Sequence, residues 1–235
     1  MPEECIQKAE ELLLKNNIEI GIKAGDYYPD LWVRDGLISS LGMSISGNEE
    51  LVKIAKNLIN TISKYQKFTG QLPNKISPDE KKICFGEGGC VDSSLWYPIA
   101  VLNYFNATKD ADFLKAHLKK IQQALSWALC LDQNNDWLIE TNEGSDWMDL
   151  LLRSGRVLYD NVLLYKALRD CDEISGICKK EKRFDFIAYN LKENINLFFW
   201  PTKENLEKIK EEYGHTGLEK DVETVGETEP KYYLA

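Results

Sequence analysis

Histidine is nearly missing from this chain: His117 and His215 are the only two in 235 residues. The six cysteines (Cys5, Cys84, Cys90, Cys130, Cys171 and Cys178) stand at irregular spacings without a CxxC pair. Cys84 and Cys90 flank "FGEGG", but no second ligand pair accompanies them, so a zinc site lacks its framework and no metal is expected. Reduced, mostly buried thiols in a cytoplasmic protein fit this usage better. Positive charge is also scarce. Lys and Arg total 29 against 38 Asp and Glu, for a net charge of −9 and no basic block. Nucleic acid and anionic membranes both select basic surfaces, so neither is expected as a partner. Long apolar runs are missing too, and the N-terminus "MPEECIQKAEELLL" is charged, which argues against a signal peptide and a membrane span.

Alternating β segments and strict repeats are likewise absent, and the second absence argues against a short-period solenoid. What is present is helical periodicity. In "NEELVKIAKNLINTI" the residues Leu51, Ile54, Ala55, Leu58, Ile59 and Ile62 form one apolar stripe, with Asn48 placed to cap. "DADFLKAHLKKIQQALSWALC" puts Phe113, Ala116, His117, Ile121, Ala124, Leu125 and Ala128 on one face, and "FDFIAYNLKENINLFF" repeats the pattern. Further helices are predicted over about 3–16, 36–46, 93–106, 156–172 and 203–213. The chain, 43% hydrophobic and 29% charged, reads as one all-α domain over 1–235, closing on an irregular acidic tail over 214–235. Two long polar connections, about 66–92 and 132–155, interrupt the helices. Long structured loops in a compact helical domain are usually functional.

Three stretches at predicted helix starts pair Trp with Asp: "DLWVRDG", "GGCVDSSLWYP" and "NEGSDWMD". A sugar ring needs this combination, because its C–H faces stack on indole while its hydroxyls bond to Asp and Arg. A nucleobase ligand would also need positive charge for its phosphates, which the chain does not supply. Each residue has a simpler role available. Asp35 could cap a helix starting at Gly36 with Arg34 as a surface charge, and Asp92 could cap "SSLWYPIAV". Trp127, Trp200 and His117 lie in or beside apolar stripes and read as core, and Pro98 sits where the first turn of a helix tolerates it.

"YYPDLWVRDGLISSLG" resembles a segment of glucoamylase and of the amylo-α-1,6-glucosidase domain of glycogen-debranching enzymes, in which an aromatic–Trp–x–Arg–Asp run opens a helix. The likeness continues in order. "GQLPNKISPDE" is similar to the Gly–x–x–Pro–Asn loop, "VDSSLWYPIAVLNYFNATKDADFL" to the Asp–x–Ser–Leu–Trp helix, and "SDWMD" followed by "RSGRVLYDNVLLYKAL" to the Trp–Met–Asp loop and its helix. It covers about Ala24 to Leu168, more weakly to about Tyr213. Neutral invertases share several of these marks.

The resemblance implies an (α/α)6 toroid whose inner helices build one sugar pocket, and glycoside hydrolysis by two carboxylates without a cofactor. It implies that Arg34 and Asp35 hold hydroxyls of a terminal glucose, that Trp32, Asp92, Trp96 and Asp146 contribute to the pocket, and that Asp149 is the general acid with Trp147 packed nearby. The choice between Asp146, Asp149 and Glu143 as the acid stays open. The family's second carboxylate lies well downstream, and Glu212 and Glu223 have no matching context. About eight of twelve helices are expected, so the chain reads as an incomplete toroid completed by a missing C-terminal segment or by an oligomer. The function expected is a cytoplasmic hydrolase of α-glucosidic bonds in oligo- or polysaccharides. A neutral invertase-like β-fructofuranosidase and a non-catalytic carbohydrate-binding or scaffolding relative are the alternatives.

Overall fold

A computed structural model of the protein describes residues 2–86, 90–148, 150, 153–200 and 202–214. Eight helices lie among them: α1 (Pro2–Lys15), α2 (Val33–Ile45), α3 (Glu49–Lys64), α4 (Val91–Thr108), α5 (Ala111–Leu129), α6 (Leu158–Ile177), α7 (Asp185–Phe198) and α8 (Lys203–Tyr213). The fold is all-α. Seven two-residue strands serve only to pin loops: β1 (Asn17–Ile18), β2 (Gly21–Ile22), β3 (Leu31–Trp32), β4 (Lys75–Ile76), β5 (Ile83–Cys84), β6 (Glu140–Thr141) and β7 (Gly155–Arg156).

Helices α2, α4 and α6 form an inner row, α4 packing on both of the others. Helix α3 packs outside α2, α5 outside α4 and α6, and α7 outside α6, with α8 on α7. Each inner helix joins its outer partner through a short connection, 46–48, 109–110 or 178–184, so the pairs run antiparallel. The outer helices show the stripes their sequences carry: Leu51, Ile54, Ala55, Leu58, Ile59 and Ile62 of α3 are all buried. Asn48 caps α3 by accepting the N–H of Glu50 and Leu51 at 3.0 and 3.3 Å, and Asp110 caps α5 through Phe113 N–H at 3.0 Å. Helix α4 is buried on every side, which is why its sequence shows no polar face.

Several boundaries differ from the sequence reading for identifiable reasons. Helix α2 starts at Val33, three residues early, because Val33 N–H is taken by the Asn74 carbonyl at 2.9 Å and β3–β4 pairing feeds the chain straight into the helix. Helix α6 runs on to Ile177. At the predicted end, about 172, Asp170 and Asp172 are buried, and Asp172 accepts the N–H groups of Arg183 and Phe184 ahead of α7. Pro98 is the eighth residue of α4, well past the first turn, so the Ser94 carbonyl loses its helical donor. The cysteines are all free, but Cys5, Cys84 and Cys130 are exposed, correcting the expectation that most are buried.

The two long connections, 65–90 and 130–157, fold over the starts of the inner helices. Leu72 N–H donates to Ser94 Oγ at 3.1 Å, Val91 N–H to the Ser145 carbonyl at 2.7 Å, and Ile139 N–H to Asn161 Oδ1 at 2.8 Å. Gly36 lets the first turn of α2 settle into this arrangement: a Cβ there would lie 2.9 Å from Leu31 Cδ1 and 3.0 Å from Leu58 Cδ1.

Candidate functional site

The starts of α2, α4 and α6 meet. From α2, Arg34 projects between two carboxylates, with Nη2 3.4 Å from Asp35 Oδ2 and Nη1 3.5 Å from Asp92 Oδ2 on α4. Neither aspartate is a cap. Asp35 is the third residue of α2 and Asp92 the second of α4, and the cap positions, Trp32 and Cys90, make no side-chain cap bond. From α6, Tyr159 donates its hydroxyl to Asp92 Oδ2 at 3.5 Å while accepting from Trp96 Nε1 at 3.0 Å. Trp147, half exposed, stands edge-on to Tyr159 with ring centroids 6.3 Å apart.

A cleft of about 190 Å³ opens here, lined by Ala24, Tyr28, Trp32, Arg34, Asp35 and Trp147. Tyr28 packs edge-on against Trp32, and the Lys75 ammonium sits 5.0 Å over the other aromatic system. Four of the residues singled out in the sequence thus line one cleft: Trp32, Arg34, Asp35 and Trp147. Asp92 and Trp96 form the layer behind it. Asp92 is fully buried, and burial pushes its carboxyl above the ordinary range against the pull of Arg34. Trp96 does not line the cleft; its indole N–H fixes Tyr159. Asp146 is also buried, and its carboxylate is committed to Arg153 at 2.6 Å and Met148 N–H at 2.7 Å, which shapes the loop. Glu143 is exposed. Asp149, the candidate acid, and Glu223 lie outside the described residues, as does the tail from His215 onward.

Several residues of this cluster carried no functional reading from sequence. Asp160, the third residue of α6, is fully buried with Oδ2 accepting from Thr141 Oγ1 at 3.1 Å. No described group reaches its Oδ1. Burial first, then the charges of Asp146 and Asp92, push its carboxyl up to about 8. Cys90 opens α4 at φ +35°, and its buried thiol reaches Asn74 Oδ1 at 3.1 Å and Asp92 Oδ1 at 3.4 Å. Asn74, the Asn of "LPN", therefore ties the starts of α2 and α4 together. His117 is a satisfied core residue, bound to the Tyr97 hydroxyl and, at 3.0 Å, to Asn60 Oδ1. Among the described residues, no group of His, Cys, Asp and Glu side chains is placed to hold a metal ion, and no helix is long and apolar enough to cross a membrane.

A family model described as amylo-alpha-1,6-glucosidase matches residues 7–224. The chain belongs to the amylo-alpha-1,6-glucosidase family. Solved structures agree on the fold. A GH78 family rhamnosidase of Bacillus sp. GL1 is similar with a TM-score of 0.62 and 19% identity, over 78% of this chain and 19% of its own. A rhamnosidase from Klebsiella oxytoca, solved with rhamnose bound, is similar with a TM-score of 0.67 and 11% identity, over 83% of this chain and 38% of its own. The chain therefore spans well under half the length of either neighbour. No curated protein matches it in sequence. The domain is of the helical glycoside hydrolase type, with its inner-helix starts gathered at one cleft.

Proposed function

We propose that this domain binds the terminal sugar of an α-glucan and belongs to a hydrolase of α-glucosidic bonds acting in the manner of amylo-α-1,6-glucosidases. The observation that carries the reading is Arg34, fixed between Asp35 and Asp92 at the mouth of a cleft walled by Tyr28, Trp32 and Trp147. A guanidinium beside a carboxylate presents donors and acceptors at the spacing of vicinal hydroxyls, and the indoles offer faces for the ring C–H groups. Asp149 is the proposed general acid, protonating the leaving oxygen, and a second carboxylate activates water. Six free cysteines, three of them exposed, support a reducing compartment, so the reading includes a cytoplasmic location.

One observation favours a narrower role for the chain by itself. Among the described residues lining the cleft, Asp35 is the only carboxylate. Binding without turnover is therefore the second reading, and hydrolysis of maltose or panose by the chain itself would count against it. Two variants test the reading. Asp35→Asn is expected to weaken maltose-series binding about tenfold or more with little change in melting temperature, since Asp35 caps nothing. Collapse of stability with binding intact would refute it. In the complete protein, Asp149→Asn should abolish hydrolysis of ordinary glucosides and largely spare glucosyl fluoride, whose leaving group needs little protonation. Full activity of Asp149→Asn toward both substrates would remove it from the mechanism.

A further inference from the structure

A second and larger cleft, about 640 Å³, lies between α7, α8 and the turn 132–137, and it shares no lining residue with the first. Trp137, Trp200 and Tyr213 give it three half-buried aromatic surfaces, interleaved with Asn190, Asn205 and Glu193. The backbone at Trp137 has φ +68°, a conformation that costs a bulky side chain about 1–3 kcal/mol and persists only where the surroundings impose it. They do so here. Asp132 Oδ1 and Oδ2 accept the N–H groups of Asp136 and Trp137 at 3.1 and 3.0 Å, and Asn134 Oδ1 accepts Asp136 N–H at 3.2 Å. Asp136 is in turn buried and paired with Arg156, whose guanidinium covers the Phe198 ring at 4.7 Å. The fold thus holds an indole in a strained position at the wall of a cleft, and nothing in the first site requires it there.

The polar lining has a definite sense. Asn190 Nδ2 donates to the Phe186 carbonyl at 2.8 Å, and Asn205 Nδ2 donates to the carbonyls of Trp200 and Asn196 at 2.9 and 3.2 Å. These bonds orient both carboxamides, and no described donor reaches either Oδ1. Glu193 and Glu212 add further acceptors. The one cation among the described lining residues, Lys208, is paired with Glu204 at 2.6 Å. Fixed acceptors between aromatic planes suit a ligand of many hydroxyl donors and apolar C–H faces, and they repel phosphates and nucleic acid.

We propose that this cleft is a second binding site, for a neutral oligosaccharide chain, separate from the cleft at the inner-helix starts. It stands apart from the function proposed above; only the choice of a maltose-series probe leans on that reading. The test titrates the full chain, with and without Asp35→Asn, with maltoheptaose and separately with cellohexaose by calorimetry. With the first cleft weakened by Asp35→Asn, a residual binding event at the second cleft is expected to remain and to weaken at least about tenfold when Trp137→Asn or Trp200→Ala is added. Asn tolerates the left-handed region, so Trp137→Asn removes the ring and relieves the backbone, at the loss of the edge contact with Phe186. The melting temperature is measured beside binding to show that the variant stays folded. Cellohexaose binding lost in the same two variants, with no maltoheptaose binding, would uphold the site and count against the α-glucan reading. Maltoheptaose binding lost on Asp35→Asn alone and indifferent to both Trp variants would uphold the first site and overturn the second. Absence of binding by either sugar in the unaltered chain would overturn it as well.

Discussion

The protonation of Asp160 predicts a pH dependence of stability that one substitution should remove. Its carboxyl is pushed up to about 8 from an ordinary 3.8, the largest cause being burial and the next the charges of Asp146 and Asp92. A raised carboxyl means the folded protein holds a proton that the unfolded chain has released, so stability falls as pH rises between about 4 and 8. Below that window the group is protonated in both states and costs nothing. Above it the full penalty stands. From pH 6 to pH 9 about two units of the window are crossed, worth about 3 kcal/mol. Asp160→Asn keeps an oxygen to accept from Thr141 Oγ1 and cannot ionise, so it should lose this slope. Urea unfolding at pH 6 and pH 9, followed by circular dichroism, gives the difference between wild type and variant. The variant should gain about 3 kcal/mol relative to wild type across that interval, or about 5–10 °C in melting temperature for a domain of this size. Groups titrating equally in both proteins cancel. Parallel pH profiles for the two would refute the assignment of a protonated Asp160. Because Asp146 is the second cause, Asp146→Asn should narrow the window.

Other substitutions follow from the packing. Gly36→Ala puts a Cβ within 3.0 Å of Leu31 and Leu58, and thermal unfolding should show a loss of about 1–3 kcal/mol. It should also disturb sugar binding, since Arg34 and Asp35 share that turn; full stability would mean the turn can move away. Asn48→Ala removes the cap of α3 and should cost about 1 kcal/mol in chemical denaturation without changing binding. Asp172→Ala strands the N–H groups of Arg183 and Phe184 and should cost about 1–3 kcal/mol, with hydrogen exchange rising at the start of α7.

The outer helices were legible in the sequence because each has one wet face: the α3 stripe is buried in full, and those of α5 and α7 are buried except for the exposed Ala116 and the half-buried Ile187. The inner helices were harder to bound. Helix α4 is buried nearly all round, the exposed positions of α2 are Ile38, Gly42 and Ile45, and the wet stripe of α6 (Lys166, Arg169, Glu173) begins past its second turn. The predicted starts therefore fell two or three residues from Val33, Val91 and Leu158. The site was legible where aromatics and charges stand side by side, as in "DLWVRDG". Depth was not. Asp92 and Trp96 read as cleft residues but form the layer behind it, because α4 lies in the middle of the row. Trp200 read as core but lines a cleft with Trp137, and Trp127 only packs on the core from its edge. Asp160 in "RVLYDNV" drew no reading from sequence, since its burial against α4 and the 140–146 loop is a tertiary fact.

A positional signal did exist for Asp160. Each inner helix carries an aspartate at its second or third residue: Asp35, Asp92 and Asp160. All three feel the positive end of a helix, a contribution of about 0.3–2 kcal/mol toward the charged form. If that field set their state, the buried Asp92 and Asp160 would be held below the ordinary range. Both are raised. Asp35 is partly exposed at the cleft and pairs with Arg34; Asp92 is buried but has the same guanidinium on its Oδ2; Asp160 is buried with a hydroxyl as its only described partner. The shift of about four units at Asp160 corresponds to about 6 kcal/mol, several times what the helix end supplies. Distance from Arg34 and from water therefore decides the charge, and the common helix position decides only where the carboxyl stands. The result is that the carboxyls behind the cleft are held above the ordinary range, that of Asp160 at about 8. A proton held on Asp160 spares Asp92 and Asp146 one neighbouring negative charge at the rear of the site, while Asp35 stays at the cleft beside Arg34.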